Sequence, residues 1–127
     1  MEGEFHIYSG NDSDTFLVLA LGGVGVISVQ SHLVSGETRH LIDSFVEGDQ
    51  EAARRQHFRL LPIARALFPT GWPNPVAVKA ALNMSGFEVG KPRLPLVELP
   101  DDMCSVLRQV VKSYELDAFL EPVAVSV

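Results

Sequence analysis

The sequence is poor in cysteine and in basic residues. Cys104 is the only cysteine among 127 residues, so neither an internal disulfide nor a Cys-x-x-Cys zinc motif can form within the chain. Ten lysines and arginines stand against sixteen acidic residues, and the net charge of −6 provides no basic surface for a phosphate backbone. These absences argue against a disulfide-rich secreted domain and against nucleic acid as a partner. A reducing, cytoplasmic location is the expectation.

The sequence also lacks a hydrophobic run long enough for a membrane helix. Its most apolar stretch, residues 16–29, is interrupted by glycines and falls short of the roughly 20 residues that span a bilayer. The first residues are acidic, whereas a signal peptide begins with basic ones. With 46% hydrophobic and 20% charged residues, the composition predicts a soluble globular domain that starts near residue 1 and has no membrane partner.

The first thirty residues predict a strand, a helix and a second strand. Residues 5–8 are β-branched and aromatic and are followed by turn formers at residues 9–12. A helix capped by Ser13 or Asp14 then runs to about Leu21, ends at Gly22 and Gly23, and is apolar enough to be largely buried. Residues 24–29 form a continuous apolar run, typical of a parallel strand covered on both faces. In such a βαβ unit the chemistry lies at the carboxyl ends of the strands, here residues 9–12 and 29–32.

Helices dominate from residue 35 onward. One helix ends at Gly48, and a longer helix capped by Asp49 continues toward residue 68 with Pro62 inside it. Asn74 and Pro75 predict a further helix start, with a capping side chain followed by proline in the first helical position. Residues 89–99 are proline-rich and extended, and Asp101 caps a last helix whose predicted buried face is Met103, Val106, Leu107, Val110 and Val111.

Two parallel strands with such apolar edges are expected to be covered by further protein. Either another copy of the chain or the remaining strands of a larger fold could cover them, and the residue pattern does not distinguish the two possibilities.

Four motifs in order resemble one family. They are Ser-Gly-Asn-Asp at residues 9–12, Gly-Val-Ile-Ser-Val at 25–29, Asn-Pro-Val-Ala-Val-Lys at 74–79 and Arg-Leu-Pro-Leu at 93–96. With their spacing, they resemble the C-terminal part of the dihydrodipicolinate synthases, which belong to the N-acetylneuraminate lyase superfamily of Schiff-base aldolases. The resemblance covers roughly residues 5–113.

The resemblance implies an α/β fold in which the chain is the C-terminal fragment of a (β/α)8 TIM barrel. Residues 1–34 would hold the seventh and eighth strands with their connecting helix, residues 35–116 the final barrel helix and a helical C-terminal domain, and residues 117–127 a tail. A complete barrel needs about 200 residues or more, so the first six strands would be missing.

The reaction that the resemblance implies is a condensation of pyruvate with aspartate semialdehyde in lysine biosynthesis, by way of a Schiff base and without a cofactor. The family's Schiff-base lysine lies on the sixth strand, and its catalytic tyrosine on an earlier strand. Both positions would precede residue 1, so no catalytic residue is expected in this chain. The lysines present are Lys79, Lys91 and Lys112, and none lies near a predicted strand end.

Two substrate-binding residues carry over from the resemblance. Gly10 matches a glycine that lines the pyruvate pocket, and Ile27 matches the residue whose main chain contacts bound pyruvate. Asn11 stands where the family more often has aspartate, and Ala77 replaces a common proline.

Other motifs favour structural interpretations. The glycines at residues 22–25 stop a helix and do not form a phosphate loop, because no Lys-Ser or Lys-Thr follows them. The four histidines lack metal-ligand spacing, so no metal site is predicted. Lys79 and Cys104 are interpreted as a solvated lysine and an inert thiol, and the arginines between residues 54 and 65 as a solvated helix face.

Three hypotheses follow. The chain is a piece of a Schiff-base lyase that is inactive until an N-terminal barrel piece completes it, or a non-catalytic module that self-associates through its strand edges into a homo-oligomer. The third possibility is a related aldolase such as N-acetylneuraminate lyase.

Overall fold

A computed structural model describes residues 5–114, and the chain divides into two compact units between Leu67 and Phe68. We call residues 5–67 the first unit and residues 68–114 the second unit and describe each by itself. The predicted division at residues 34 and 35 separates the last two barrel strands and their connecting helix from the final barrel helix and the helical C-terminal domain, and it stays a prediction.

The first unit contains a two-stranded parallel sheet. Strand β1, Tyr8–Ser9, pairs with β2, Gly25–Val26, so that Tyr8 lies opposite Gly25 and Ser9 opposite Val26. Both strands are shorter than predicted, but backbone hydrogen bonds extend the pairing on either side: Val24 N donates to Ile7 O and Ile27 N to Ser9 O, each at 2.8 Å. The prediction that β2 is covered on both faces is wrong for this unit, because Val24 is 42% and Ile27 70% exposed.

A 3₁₀ turn at Asp12–Asp14 leads into helix α1, Thr15–Ala20. Asp14 occupies the N-cap position as predicted, although its side chain makes no capping hydrogen bond. Gly22, at φ +93°, ends the helix as expected. The prediction that α1 is largely buried is wrong: Leu17 is 57% and Leu21 88% exposed, since a sheet of two strands covers only one side of the helix.

Helices α2, Ser31–Val46, and α3, Gln50–Ala66, pack against each other and supply most of the core of the first unit. Helix α2 begins earlier than predicted, and its first turn is set off by Val34, whose φ of −126° and ψ of 49° are not helical. Gly48, at φ +86°, follows the end of α2, and the Asp49 side chain caps α3 by accepting from Ala52 N at 2.9 Å, both as predicted.

An aromatic cluster joins the three helices of the first unit. The ring of Phe16 in α1 meets Phe45 of α2 edge to face at 5.6 Å between centroids, and lies 5.5 Å from the ring of His57 in α3. These contacts fix α1 against the α2–α3 pair.

The second unit contains helices α4, Val76–Met84, and α5, Asp101–Lys112, which contact each other. Residues 87–99 contain neither helix nor strand, in agreement with the extended segment predicted from the prolines. The predicted start of α4 is wrong by one residue: Pro75 itself is the N-cap, and the Asn74 side chain makes no cap because it lies one position too early.

The predicted buried face of α5 is confirmed in part. Leu107 and Val111 are buried, but Val106 is 61% exposed, because the apolar stripe of α5 is broader than the face that a neighbouring helix covers. Pro100 is the N-cap, so Asp101 is the first helical residue and does not cap the helix. The predicted tail, residues 117–127, lies outside the described residues.

Within residues 5–114, no helix is both long and apolar enough to cross a membrane.

Candidate active site at the strand ends

The two predicted substrate-binding residues lie at the same edge of the sheet. Ile27 follows β2 and donates its N–H to Ser9 O at 2.8 Å, and Gly10 is the next residue after Ser9. Ile27 is 70% exposed, and a Cβ placed on Gly10 would meet no atom within 4 Å. The residues carried over from the resemblance are therefore neighbours with open space in front of them.

A buried carboxylate joins the two strand-end loops. One oxygen of Asp12, Oδ2, accepts hydrogen bonds from Val29 N and Gln30 N, each at 3.0 Å, across 17 and 18 residues of sequence. Asp12 is only 6% exposed, and its second oxygen, Oδ1, has no hydrogen-bond partner among the described residues. Hydrogen bonds to a charged acceptor are stronger than neutral ones, so Asp12 ties the end of β1 to the start of α2.

Local hydrogen bonds hold the turn that contains Gly10. The Ser9 hydroxyl donates to Asn11 O at 2.7 Å and accepts from Asn11 N at 3.2 Å, so it closes the turn around Gly10. The buried Thr15 hydroxyl donates to Asp12 O at 2.9 Å. The backbone is thus held on both sides of Gly10.

A second buried polar pair lies behind these loops. Gln30 and Thr38 are 1% and 4% exposed, and the Gln30 amide donates to the Thr38 hydroxyl at 3.2 Å. The same hydroxyl donates to Val34 O at 3.0 Å, at the non-helical residue of α2. This pair connects the second strand-end loop to α2.

Sequence reasoning missed this network of Asp12, Thr15, Gln30 and Thr38. A signal existed for Asp12, since it is the last residue of the Ser-Gly-Asn-Asp motif directly after a strand. No local pattern identifies Gln30 or Thr38, because their partner atoms are chosen by tertiary packing.

Asn11, at the motif position where the resemblance implies that aspartate is more common, donates from its side-chain amide to Asp14 Oδ2 at 3.0 Å. An aspartate at this position would place two carboxylates in contact. The neutral amide therefore suits the acidic 3₁₀ turn.

The histidines remain without a metal-binding arrangement in the described part of the chain, where no three His, Cys, Asp or Glu side chains could hold a metal ion together. His32 hydrogen-bonds Val29 O through Nδ1 at 2.9 Å. His57 packs against Phe16, and burial lowers its pKa, while the negative charge of Asp14 acts in the opposite direction.

The second unit has a separate cavity of about 240 Å³ lined in part by Lys79, Lys91 and Cys104. Lys79 Nζ donates to Lys91 O at 2.8 Å, and Lys91 pairs with Glu98 at 2.6 Å. Burial raises the pKa of the Cys104 thiol, which agrees with the prediction of an inert thiol. Arg54 and Arg55 of α3 form exposed ion pairs with Glu51, as predicted for a solvated face.

The fold and the site together define an α/β chain that carries polar groups at the carboxyl ends of two parallel strands and continues into helices. The model of the dihydrodipicolinate synthetase family matches residues 1–114, and the chain belongs to this family. The resemblance described above is thereby confirmed.

Curated relatives agree with this assignment. The chain is 45% identical over 114 residues to the 4-hydroxy-tetrahydrodipicolinate synthase of Dehalococcoides mccartyi strain CBDB1. The aligned residues cover 90% of this chain and 38% of the relative. It is 46% identical over 115 residues to the enzyme of that name from Heliobacterium modesticaldum, covering 91% and 38%. The chain therefore spans about two-fifths of the length of the relatives it matches.

The chain also spans about two-fifths of the solved structures that it matches. Dihydrodipicolinate synthase from Thermotoga maritima superposes with a TM-score of 0.85 at 40% identity, covering 91% of this chain and 38% of that one. The enzyme from Aquifex aeolicus gives a TM-score of 0.84 at 40% identity, covering 90% and 39%. This chain corresponds to a fragment of such TIM-barrel enzymes.

Proposed function

We propose that this chain forms the C-terminal part of a dihydrodipicolinate synthase-like lyase. In this proposal β1 and β2 are the seventh and eighth barrel strands, and the complete enzyme condenses pyruvate with aspartate semialdehyde through a Schiff base in lysine biosynthesis. Its place of action is the cytoplasm, and it needs no cofactor.

The observation that carries the proposal is the strand-end edge itself. Two loops that follow parallel strands are held together by Asp12, and they present Gly10 and Ile27 side by side with open space beyond. Ligands of barrel enzymes bind at this end of the strands. Gly10 and Ile27 would supply part of the pyruvate pocket.

The hydrogen bonding decides which main-chain group Ile27 offers to pyruvate. Its N–H already donates to Ser9 O, so the carbonyl oxygen is the group left for a ligand. A carbonyl oxygen repels the pyruvate carboxylate and attracts the electron-poor methyl and protonated imine of the Schiff base. We therefore expect Ile27 to face the end of pyruvate that reacts.

The chain by itself would be inactive. A Schiff base needs an amine that is desolvated or close to another cation. In the second unit Lys91 is exposed and Lys79 is half-buried, and both have polar partners. The reactive lysine and the proton-transferring tyrosine would come from the part of the barrel that lies outside the match. Phe5, Ile7 and Leu17 are 86%, 54% and 57% exposed. This exposure is consistent with further barrel elements that would cover these side chains in the complete enzyme.

Borohydride trapping with pyruvate tests the proposal. The chain is incubated alone and together with the preceding segment of the Thermotoga maritima relative, then reduced and analysed by mass spectrometry. We expect no adduct on the chain alone and an adduct on the added segment when both are present. Gly10→Ala should leave folding unchanged, because its Cβ meets open space, and should reduce trapping. An adduct on Lys79, Lys91 or Lys112 would contradict the proposed site.

The same exposed apolar edge also supports the second hypothesis, a non-catalytic self-associating module. Light scattering separates the two: a discrete homo-oligomer that excludes the added segment and traps no pyruvate would favour the module. Product formation with N-acetylmannosamine instead of aspartate semialdehyde would favour the sialic acid branch of the superfamily.

A further inference from the structure

We infer that Asp12 is a positioning residue that fixes the two strand-end loops relative to each other and thereby sets the places of Gly10 and Ile27. The inference rests on the proposed function, and it assigns a role to a residue that would not itself touch pyruvate.

The geometry of the carboxylate supports this role. A single oxygen, Oδ2, accepts from two consecutive amides, Val29 N and Gln30 N, at the same distance of 3.0 Å. Two bonds to adjacent amides restrain both the position and the direction of the second loop. Ile27 lies two residues before Val29, so the loop cannot shift at Asp12 without displacing its main chain.

The position of Asp12 is itself restrained from the other side. Thr15 is 1% exposed, and its hydroxyl donates to Asp12 O. On the other side of the turn, the Ser9 hydroxyl donates to Asn11 O. Gly10 lies between these restraints. Asp12 is therefore the point where the turn around Gly10 and the loop after Ile27 are joined by a side chain.

The location just before α2 adds support. The amides of Val29 and Gln30 lead into the first turn of α2, which the non-helical Val34 sets off from the rest of the helix, and backbone amides at the start of a helical turn have no acceptor within that turn. Asp12 supplies from the neighbouring loop an acceptor that α2 itself does not offer, since Gln30 at the N-cap makes no side-chain cap.

The first test measures the restraint in the chain itself, with no need for activity. Amide hydrogen exchange at Val29 and Gln30 is followed by NMR in wild type, Asp12→Ala, Asp12→Asn and the control Asp14→Asn. Asp12→Ala should accelerate exchange at both amides by about 10- to 100-fold, the worth of a hydrogen bond to a charged group. Asp12→Asn should retain most of the protection because its amide oxygen can accept the same bonds, and Asp14→Asn should retain all of it.

The second test measures positioning in the chain combined with the preceding segment of the Thermotoga maritima relative. Asp12→Ala should raise the pyruvate concentration for half-maximal trapping by about tenfold or more, as expected for a misplaced binding group, with the maximal trapping unchanged. Asp12→Asn should restore the half-saturation value. If Asp12 were needed only for folding, Asp12→Ala would lower the maximal trapping instead of shifting the half-saturation value.

The outcomes are distinct. Unchanged exchange at Val29 and Gln30 in Asp12→Ala overturns the inference, as does faster exchange with an unchanged half-saturation value. Absence of trapping in the wild-type combination contradicts the proposed function instead, and the exchange result then still decides whether Asp12 joins the loops.

Discussion

Polar side chains are used differently in the two units of the chain. In the first unit, Asp12, Gln30 and Thr38 are buried, and the bonds of Asp12 reach 17 and 18 residues along the sequence. In the second unit, the ion pair of Lys91 with Glu98 lies at the surface, with side chains 76% and 57% exposed. Buried hydrogen bonds fix geometry because breaking them leaves unsolvated groups, whereas exposed ion pairs exchange with water at little cost. The contrast supports the proposed placement of the ligand pocket in the first unit.

The largest effect is expected where the first unit has no room for a side chain. A Cβ on Gly23 would overlap Val18 Cγ1 and lie 2.8 Å from Val18 O and 3.0 Å from Ile7 O. Gly23→Ala should therefore lower the free energy of unfolding by about 3 kcal/mol, the upper end for an overpacked site. Urea unfolding measures this.

The matched control is Gly36→Ala, inside α2, where a Cβ meets no atom within 4 Å. It should stabilise the chain by about 0.5–1 kcal/mol, because alanine favours a helix more than glycine does. Equal effects of the two variants would show that the close approach at Gly23 is absent in solution.

A smaller effect is expected when a buried hydroxyl is replaced. Thr38→Val keeps the side-chain shape but leaves the Gln30 amide without its acceptor, and should cost about 1–2 kcal/mol. Ser105→Ala removes an exposed hydroxyl that donates to Asp101 O in the second unit, and should change stability by less than about 0.5 kcal/mol. Comparable losses in urea unfolding would remove the distinction between the units.

A pH effect is expected from the half-buried His57. Burial lowers its pKa from 6.5, so the unfolded chain binds more protons than the folded chain just below that pH. The stability from His57 is complete above pH 6.5 and declines as the pH falls through the window below it. Unfolding measured above and below this pH should show the slope, and His57→Gln should remove it.

NMR titration of the His57 ring supplies the control. Because Asp14 raises the pKa of His57 against the effect of burial, Asp14→Asn should lower that pKa further. A rise in the pKa of this variant would show that the charge of Asp14 does not raise the pKa of His57.

The smallest effect is expected at the exposed ion pair of the second unit. Glu98 raises the pKa of Lys91 through a hydrogen bond and its charge, so Glu98→Gln should return that pKa toward 10.5. The melting temperature should not change measurably because both side chains are exposed. A clear loss of stability would show that this ion pair stabilises the fold as the buried polar groups of the first unit do.

Much of the fold follows from local sequence. Gly22 and Gly48 end helices as predicted, Asp49 caps α3, and residues 87–99 avoid helix and strand because of their prolines. Such features depend on backbone conformations that single residues favour or forbid. Predictions of burial failed for α1 and for Val106 of α5, because burial depends on which elements are adjacent and not on the apolar character of a helix.

The sequence by itself determined the family, through four spaced motifs, and it also placed Gly10 and Ile27 at strand ends. Only the tertiary structure decided that Asp12 joins the two loops and that Ile27 has already used its N–H on Ser9. The physical reason is that a motif records residues near each other along the chain, whereas these hydrogen bonds link atoms that become neighbours only when β1 and β2 pair and bring the loops after them together.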